Sequence, residues 1–90
     1  MGQSKILITG GYGCIGAETT KWFLRNTDAS VVIGSRNVTI TRTEQIFDDV
    51  DTERLDAVSV NISNSDEVID LLNQGSFTHV IHLAALQTPD

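Results

Sequence analysis

Glycines at positions 10, 11, 13 and 16 crowd the stretch Thr9-Gly10-Gly11-Tyr12-Gly13-Cys14-Ile15-Gly16. Glycine gives up more conformational freedom on folding than any other residue, so such a run has a use only where backbone turns tightly or is approached closely. At a helix N-terminus the loop offers unpaired N–H groups and the positive end of the helix dipole to an anion such as a pyrophosphate. Gly10 is expected to make the turn, Gly13 to allow the close approach, and Gly16 to let the helix pack on the preceding strand. The letters also parse as Gly11-x-Gly13-x-x-Gly16, and spacing alone does not separate these two forms of dinucleotide loop.

Cys14, the single cysteine, stands where a helix N-terminus would lower a thiol pKa and make it reactive. The alternative is a small apolar side chain filling space between loop and helix. His79 and His82 flank an apolar strand without cysteine or carboxylate partners, so no metal site is expected. Asp48, Asp49, Asp51 and Glu53, with Glu44 nearby, lack the ligand order and central glycine of a calcium loop and read as a solvated acidic face.

The glycine loop needs a strand before it and a helix after it. Lys5 to Thr9 is a short apolar run of the kind covered on both faces in a parallel sheet. Beyond the glycines, Ile15, Thr19, Trp22, Phe23 and Asn26 recur at helical spacing, which predicts an amphipathic helix with Ile15, Trp22 and Phe23 inward. Ser30 to Gly34 reads as a second strand, and Ile46, Phe47 and Val50 give the acidic segment after Thr39 one apolar helical face. Leu55 to Asn61 reads as a third strand. Asn64 and Glu67 then form a capping pair for a helix to about Asn73, with Val68, Ile69 and Leu72 inward and Gly75 as its stop. Thr78 to Ala85 is the fourth strand. Strand and helix alternating at this spacing predict a Rossmann-like α/β fold, a doubly wound parallel sheet that ends after its fourth strand.

Ninety residues with 40% apolar and 20% charged composition bound the chain to a single globular unit or part of one. The net charge is -6 with scattered basic residues, so neither nucleic acid nor an anionic membrane is an expected partner. Met1 to Ser4 lacks the regions of a signal peptide, and Ile6 breaks the myristoylation pattern begun by Gly2. A soluble, cytoplasmic protein is expected. One cysteine supports no disulfide framework.

The segment Thr9 to Gly16 resembles the Thr-Gly-x-x-Gly-x-x-Gly loop of the extended short-chain dehydrogenase/reductases, the NAD-dependent epimerase/dehydratase family. Val80-Ile81-His82-Leu83-Ala84-Ala85 is similar to the His-x-Ala-Ala end of that family's fourth strand, and with Asn61-Ile62 after the third strand the resemblance spans nearly all of the chain. It implies that Gly10, Gly13, Cys14, Ile15, Gly16, Leu83, Ala84 and Ala85 line a dinucleotide lying across the first and fourth strands. It also implies that Ile62 packs near the adenine, and that His82 lies near the ribose or is a satisfied polar residue at the strand end. In the family the place of Asn61 is usually an Asp contacting the adenine amino group; an amide oxygen can still accept that hydrogen bond.

Family chemistry uses a Tyr-x-x-x-Lys pair for proton transfer, with substrates that are nucleotide sugars or related carbonyl compounds. The only tyrosine is Tyr12, and Gly16 stands four residues on. Residues 1–90 are therefore expected to be the N-terminal part of a dinucleotide-binding domain, without catalytic residues, whose small-molecule substrate belongs to a longer parent enzyme. A non-catalytic cofactor-sensing module is the alternative.

Carboxylates that accept both ribose hydroxyls and repel a 2′-phosphate stand about twenty residues past such a loop. Here Ser35 and Arg36 hold that place, with no acid between Asp28 and Glu44. Ser35 can donate to a phosphate oxygen, and Arg36 can pair with one or lie on the adenine face, unless it is an ordinary solvated arginine. NADP is expected over NAD. The apolar fourth strand, left as an edge in a 3-2-1-4 order, is expected to promote self-association.

Overall fold

The computed structural model describes residues 4–10, 14–36 and 38–83. Gly13, Ala84 and Ala85, expected at the cofactor site, lie outside the described residues, as does Gly11 of the second glycine parse. The elements run β1(Lys5–Thr9), α1(Cys14–Asn26), β2(Ser30–Ser35), α2(Ile40–Ile46), β3(Leu55–Ser59), α3(Ser65–Gly75) and β4(His79–His82). The sheet has the order β3-β2-β1-β4 and every pair is parallel. This is the Rossmann-like doubly wound arrangement expected from the alternation.

Right-handed crossovers fix which face each helix takes. The β1–β2 and β2–β3 connections advance in one direction and put α1 and α2 on one face. The β3–β4 connection returns past both central strands and puts α3 on the other. Register places Ile6, Val31 and Leu55 side by side, and Ile8, Ile33, Ala57 and Ile81 in the next row. These side chains share the α1 face, where Ile6, Ile8, Leu24, Ala29 and Val31 form one buried cluster and Ala17, Ile33 and Phe47 another. Each Ile, Leu, Val or Phe among them contributes roughly 1.5–3 kcal/mol when fully buried. Phe47, expected on the apolar face of the acidic segment, is 1% exposed.

Two helices are rotated from their expected faces. In α1, Ile15 and Trp22 are 68% and 55% exposed. The inward stripe is Gly16, Thr20, Phe23, Leu24 and Thr27, the expected spacing advanced by one residue. Small residues at the contact let the helix sit close to the sheet. The Thr20 hydroxyl donates to the Gly16 carbonyl at 2.8 Å, which makes a fully buried polar side chain tolerable. In α3, Ile69 and Leu72 are exposed, whereas Val68, Leu71 and Gly75 are half-buried. Gly75 is the last helical residue, and the left-handed position belongs to Ser76 at φ 54, ψ 46. A Cβ at Gly75 would run into the Phe77 ring, so the glycine makes room there and does not supply the turn.

Two strands are shorter than expected. Beyond Ser59 the chain keeps one bond, from the Val60 N–H to the Ser35 carbonyl at 2.9 Å, before Asn61 turns away. The described part of β4 is confined to His79–His82.

The C-terminus of α1 is finished by side chains. Asn26 Nδ2 donates to the Trp22 carbonyl, Thr27 Oγ1 to that of Phe23, and Arg54 Nη2 to that of Leu24, at 2.9, 2.7 and 2.7 Å. Arg54 also donates to the Ala29 carbonyl. One guanidinium therefore joins the end of α1 to the start of β2 from the β3 side, satisfying carbonyls that the helix cannot.

Candidate functional site

In an open parallel sheet, ligands bind beyond the carboxyl ends of the strands, where the strand order reverses. Here that point is the crevice between β1 and β4. Gly10 leaves β1 at φ 77, a left-handed conformation that glycine adopts without the steric cost carried by other residues. Its N–H donates to the Gly34 carbonyl at 3.2 Å, holding the turn against β2. The described chain resumes at Cys14, the first residue of α1, and the first turn of that helix has no acidic residue to oppose an incoming anion.

Across the crevice, Thr9 is 3% exposed and Leu83 is half-buried against the core. The Leu83 N–H donates to both the Thr9 carbonyl and Thr9 Oγ1, each at 3.1 Å, and Thr9 Oγ1 lies 2.7 Å from His82 Nδ1. Thr9 thus ties the two strands together at the mouth of the crevice. Spacing does not predict the Thr9–His82 pairing, which follows from the parallel register that sets Ile6 beside His79 and Thr9 beside His82. His79, three residues from His82, falls in the row of Ile6 while His82 falls in that of Thr9, so the two rings take opposite faces.

The outer half of the edge comes from β2 and β3. Ser35 ends β2 half-buried, and Arg36 beyond it is exposed. Arg36 Nη2 lies 3.5 Å from Asn61 Oδ1, and Ser59 Oγ donates to the Arg36 carbonyl at 3.1 Å. Asn61 Oδ1 also accepts the Ser63 N–H at 3.0 Å, which fixes which end of the amide faces Arg36. Ile62 is half-buried beside it. The capping pair differs in one detail from its expectation. Asn64 Oδ1 accepts the N–H groups of Asp66 and Glu67, and the Glu67 carboxylate accepts the Asn64 side-chain amide at 3.3 Å and the Asn61 N–H at 3.0 Å, not the Asn64 backbone N–H. The Asn64 N–H is already donated to the Asn61 carbonyl at 2.9 Å, which frees Glu67 to hold the site loop.

The structure therefore brings Gly10, Gly16, Ser35, Arg36, Asn61, Ile62 and Leu83 to one edge of the sheet. Ile15 stands there too, exposed on the first turn of α1. The acidic segment lies elsewhere: Asp49 pairs with Lys21 at 3.1 Å and Arg25 at 2.9 Å along α1. Hydrogen bonding to the Lys21 ammonium is the main reason its carboxyl is held below the usual carboxylate value. Among the described residues no group of three or more His, Cys, Asp or Glu is placed to hold a metal ion, and no helix is long and apolar enough to cross a membrane.

Several solved structures share this arrangement. The enzyme WbmG of Bordetella bronchiseptica, solved in complex with NAD, is 22% identical with a TM-score of 0.74 over 99% of this chain. A dTDP-glucose 4,6-dehydratase from Bacillus anthracis, also solved with NAD, is 18% identical with a TM-score of 0.71 over 90% of the chain. A short chain dehydrogenase from Bacillus anthracis is 23% identical with a TM-score of 0.71, again over 90%. The chain spans only 27%, 26% and 34% of those three proteins. No curated protein sequence matches at a comparable level. Residues 7–90 match the family described as GDP-mannose 4,6 dehydratase, and the chain belongs to that family of extended short-chain dehydrogenase/reductases.

Proposed function

We propose that this chain is the dinucleotide-binding part of an oxidoreductase, an epimerase, dehydratase or reductase whose substrate is a nucleotide sugar or a related carbonyl compound. The observation that carries this reading is the left-handed Gly10 turn delivering β1 to an α1 N-terminus beside the β1/β4 crevice. Gly10, Gly13, Cys14, Ile15 and Gly16 would hold the pyrophosphate, Asn61 and Ile62 the adenine, and Leu83, Ala84 and Ala85 the β4 side of the crevice. A bound dinucleotide would supply the hydride chemistry. The Tyr-x-x-x-Lys pair is not among residues 1–90, so these residues on their own are expected to bind cofactor in the cytoplasm without turning substrate over.

NADP is proposed over NAD, although two of the similar structures hold NAD. The support is chemical: the end of β2 carries Ser35 and an exposed Arg36 where a carboxylate would repel a 2′-phosphate. One charge-assisted contact to that phosphate corresponds to roughly tenfold tighter binding, about 1.4 kcal/mol. Calorimetric titration with NADP and NAD tests this, with Arg36→Ala as the variant. Equal affinity for the two, or a ratio unchanged by the variant, overturns the NADP assignment, and hydride exchange between either cofactor and an added nucleotide sugar overturns the inactivity of residues 1–90. The β4 edge, with Val80 50% exposed, is proposed to self-associate. Sedimentation velocity should then show a mass rising with concentration, and a monomer throughout counts against it.

A further inference from the structure

We infer that Asn61 sets cofactor choice through Arg36, as a neutral rest from which the guanidinium is easily drawn away. This rests on the NADP reading above and adds a second residue to it, on a different strand end. Among the described hydrogen bonds, Asn61 Oδ1 is the side-chain acceptor of the Arg36 guanidinium, at 3.5 Å, the long end of hydrogen-bond range. The contact is long and uncharged on the acceptor side, so it orients Arg36 toward the strand ends without neutralising it. Asn61 does not drift, because its side-chain oxygen also takes the Ser63 N–H at 3.0 Å and its backbone N–H is held by Glu67 at 3.0 Å. A carboxylate in the same position would keep the turn at Ser63, since its oxygen accepts the same N–H. It would also convert the Arg36 contact into a charge-assisted pair, roughly twice as strong as a neutral one. A 2′-phosphate would then have to displace a carboxylate from Arg36 instead of an amide. Asn61 is therefore a positioning residue for the specificity of Arg36.

The test compares adenosine 2′,5′-bisphosphate with adenosine 5′-monophosphate by calorimetry in the protein, Asn61→Asp, Arg36→Ala and the double variant. The ratio of the two affinities cancels any change in adenine contact. Asn61→Asp should lower the preference for the bisphosphate about threefold more when Arg36 is present than when it is absent, the size of an exposed ion pair. An equal loss in both backgrounds means that the new carboxylate repels the phosphate directly, and overturns the proposal. A ligand-free readout separates this from the NADP reading: arginine side-chain 15N spectra should show slowed guanidinium rotation at Arg36 in Asn61→Asp. If the protein itself shows no preference for the bisphosphate, the NADP reading fails and those spectra alone decide the coupling. An Arg36 signal identical in the two proteins overturns it.

Discussion

On one face of the sheet, α1 and the end of α2 bury Ala17, Leu24 and Phe47 against Ile6, Ile8, Val31 and Ile33. On the other face Leu7 and Val32 are 1% and 6% exposed, yet α3 has no buried residue of its own. The difference follows from what each helix brings to the contact. Gly16, Ala17 and Thr20 let α1 approach closely, whereas α3 has Ile69 and Leu72 pointing partly to solvent. The candidate site spans both regimes. Its Gly10 and Ser35 side stands on a closed apolar core, while Asn61 is fastened by hydrogen bonds from Ser63 and to Glu67. Packing holds one half of the edge and polar fastening holds the other.

Truncating the same kind of side chain on the two faces gives the sharpest contrast. Phe47→Ala empties a site that is 1% exposed, and is expected to cost about 3–5 kcal/mol. Leu72→Ala removes a side chain 39% exposed and is expected to cost no more than about 0.5 kcal/mol. Urea midpoints at constant slope measure both. Equal losses would mean that α3 is as firmly packed as the end of α2, and would erase the distinction between the two faces.

Legibility in the sequence divides along similar lines. Apolar β-branched runs mark β1 and β2 because buried parallel strands carry a continuous apolar signal, whereas the 3-2-1-4 order comes with the Rossmann-like fold class and not from the runs themselves. Hydropathy sets the inward stripe of α1 off by one residue, since it favours Ile15 and Trp22 over Gly16 and Thr20. A threonine hydroxyl bonded to its own helix behaves as an apolar contact, and only the fold reveals that bond. The Gly10 turn and the place of Ser35 and Arg36 at the end of β2 are legible because turn chemistry and strand ends are local signals. Thr9 with His82, and Arg36 with Asn61, are not, because each couples residues 73 or 25 positions apart.

Arg54 tests how far the closed face depends on one polar clamp. Its guanidinium serves the carbonyls of Leu24 and Ala29, and hydrogen bonds to charged groups contribute about 1.5–3 kcal/mol. Arg54→Ala is therefore expected to cost about 2 kcal/mol, with faster amide exchange in the last turn of α1. If exchange rises instead across α3, the clamp belongs to a different cooperative unit from the end of α1.

The smallest effect expected on the closed face depends on pH. Asp49 links Lys21 and Arg25 of α1 to the segment after α2, and its carboxyl is held below the usual carboxylate value chiefly by its hydrogen bond to Lys21. A folded-state pKa below the unfolded one means that the carboxylate stabilises the fold at pH values above the unfolded value, about 3.9 for Asp. That stabilisation fades as pH falls below about 3.9, through the lower folded value, and is gone once both states are protonated. Asp49→Asn removes the charge at every pH. The urea midpoint of the protein should therefore exceed that of the variant at neutral pH, and the two curves should converge in acid below about 3.9. Because Asp49 and Arg25 are half exposed, added salt should narrow the neutral-pH gap by screening. A gap that persists unchanged into acid would show that the asparagine substitution acts through shape and not charge, and that the ion pairs do not hold α1 to the segment behind it.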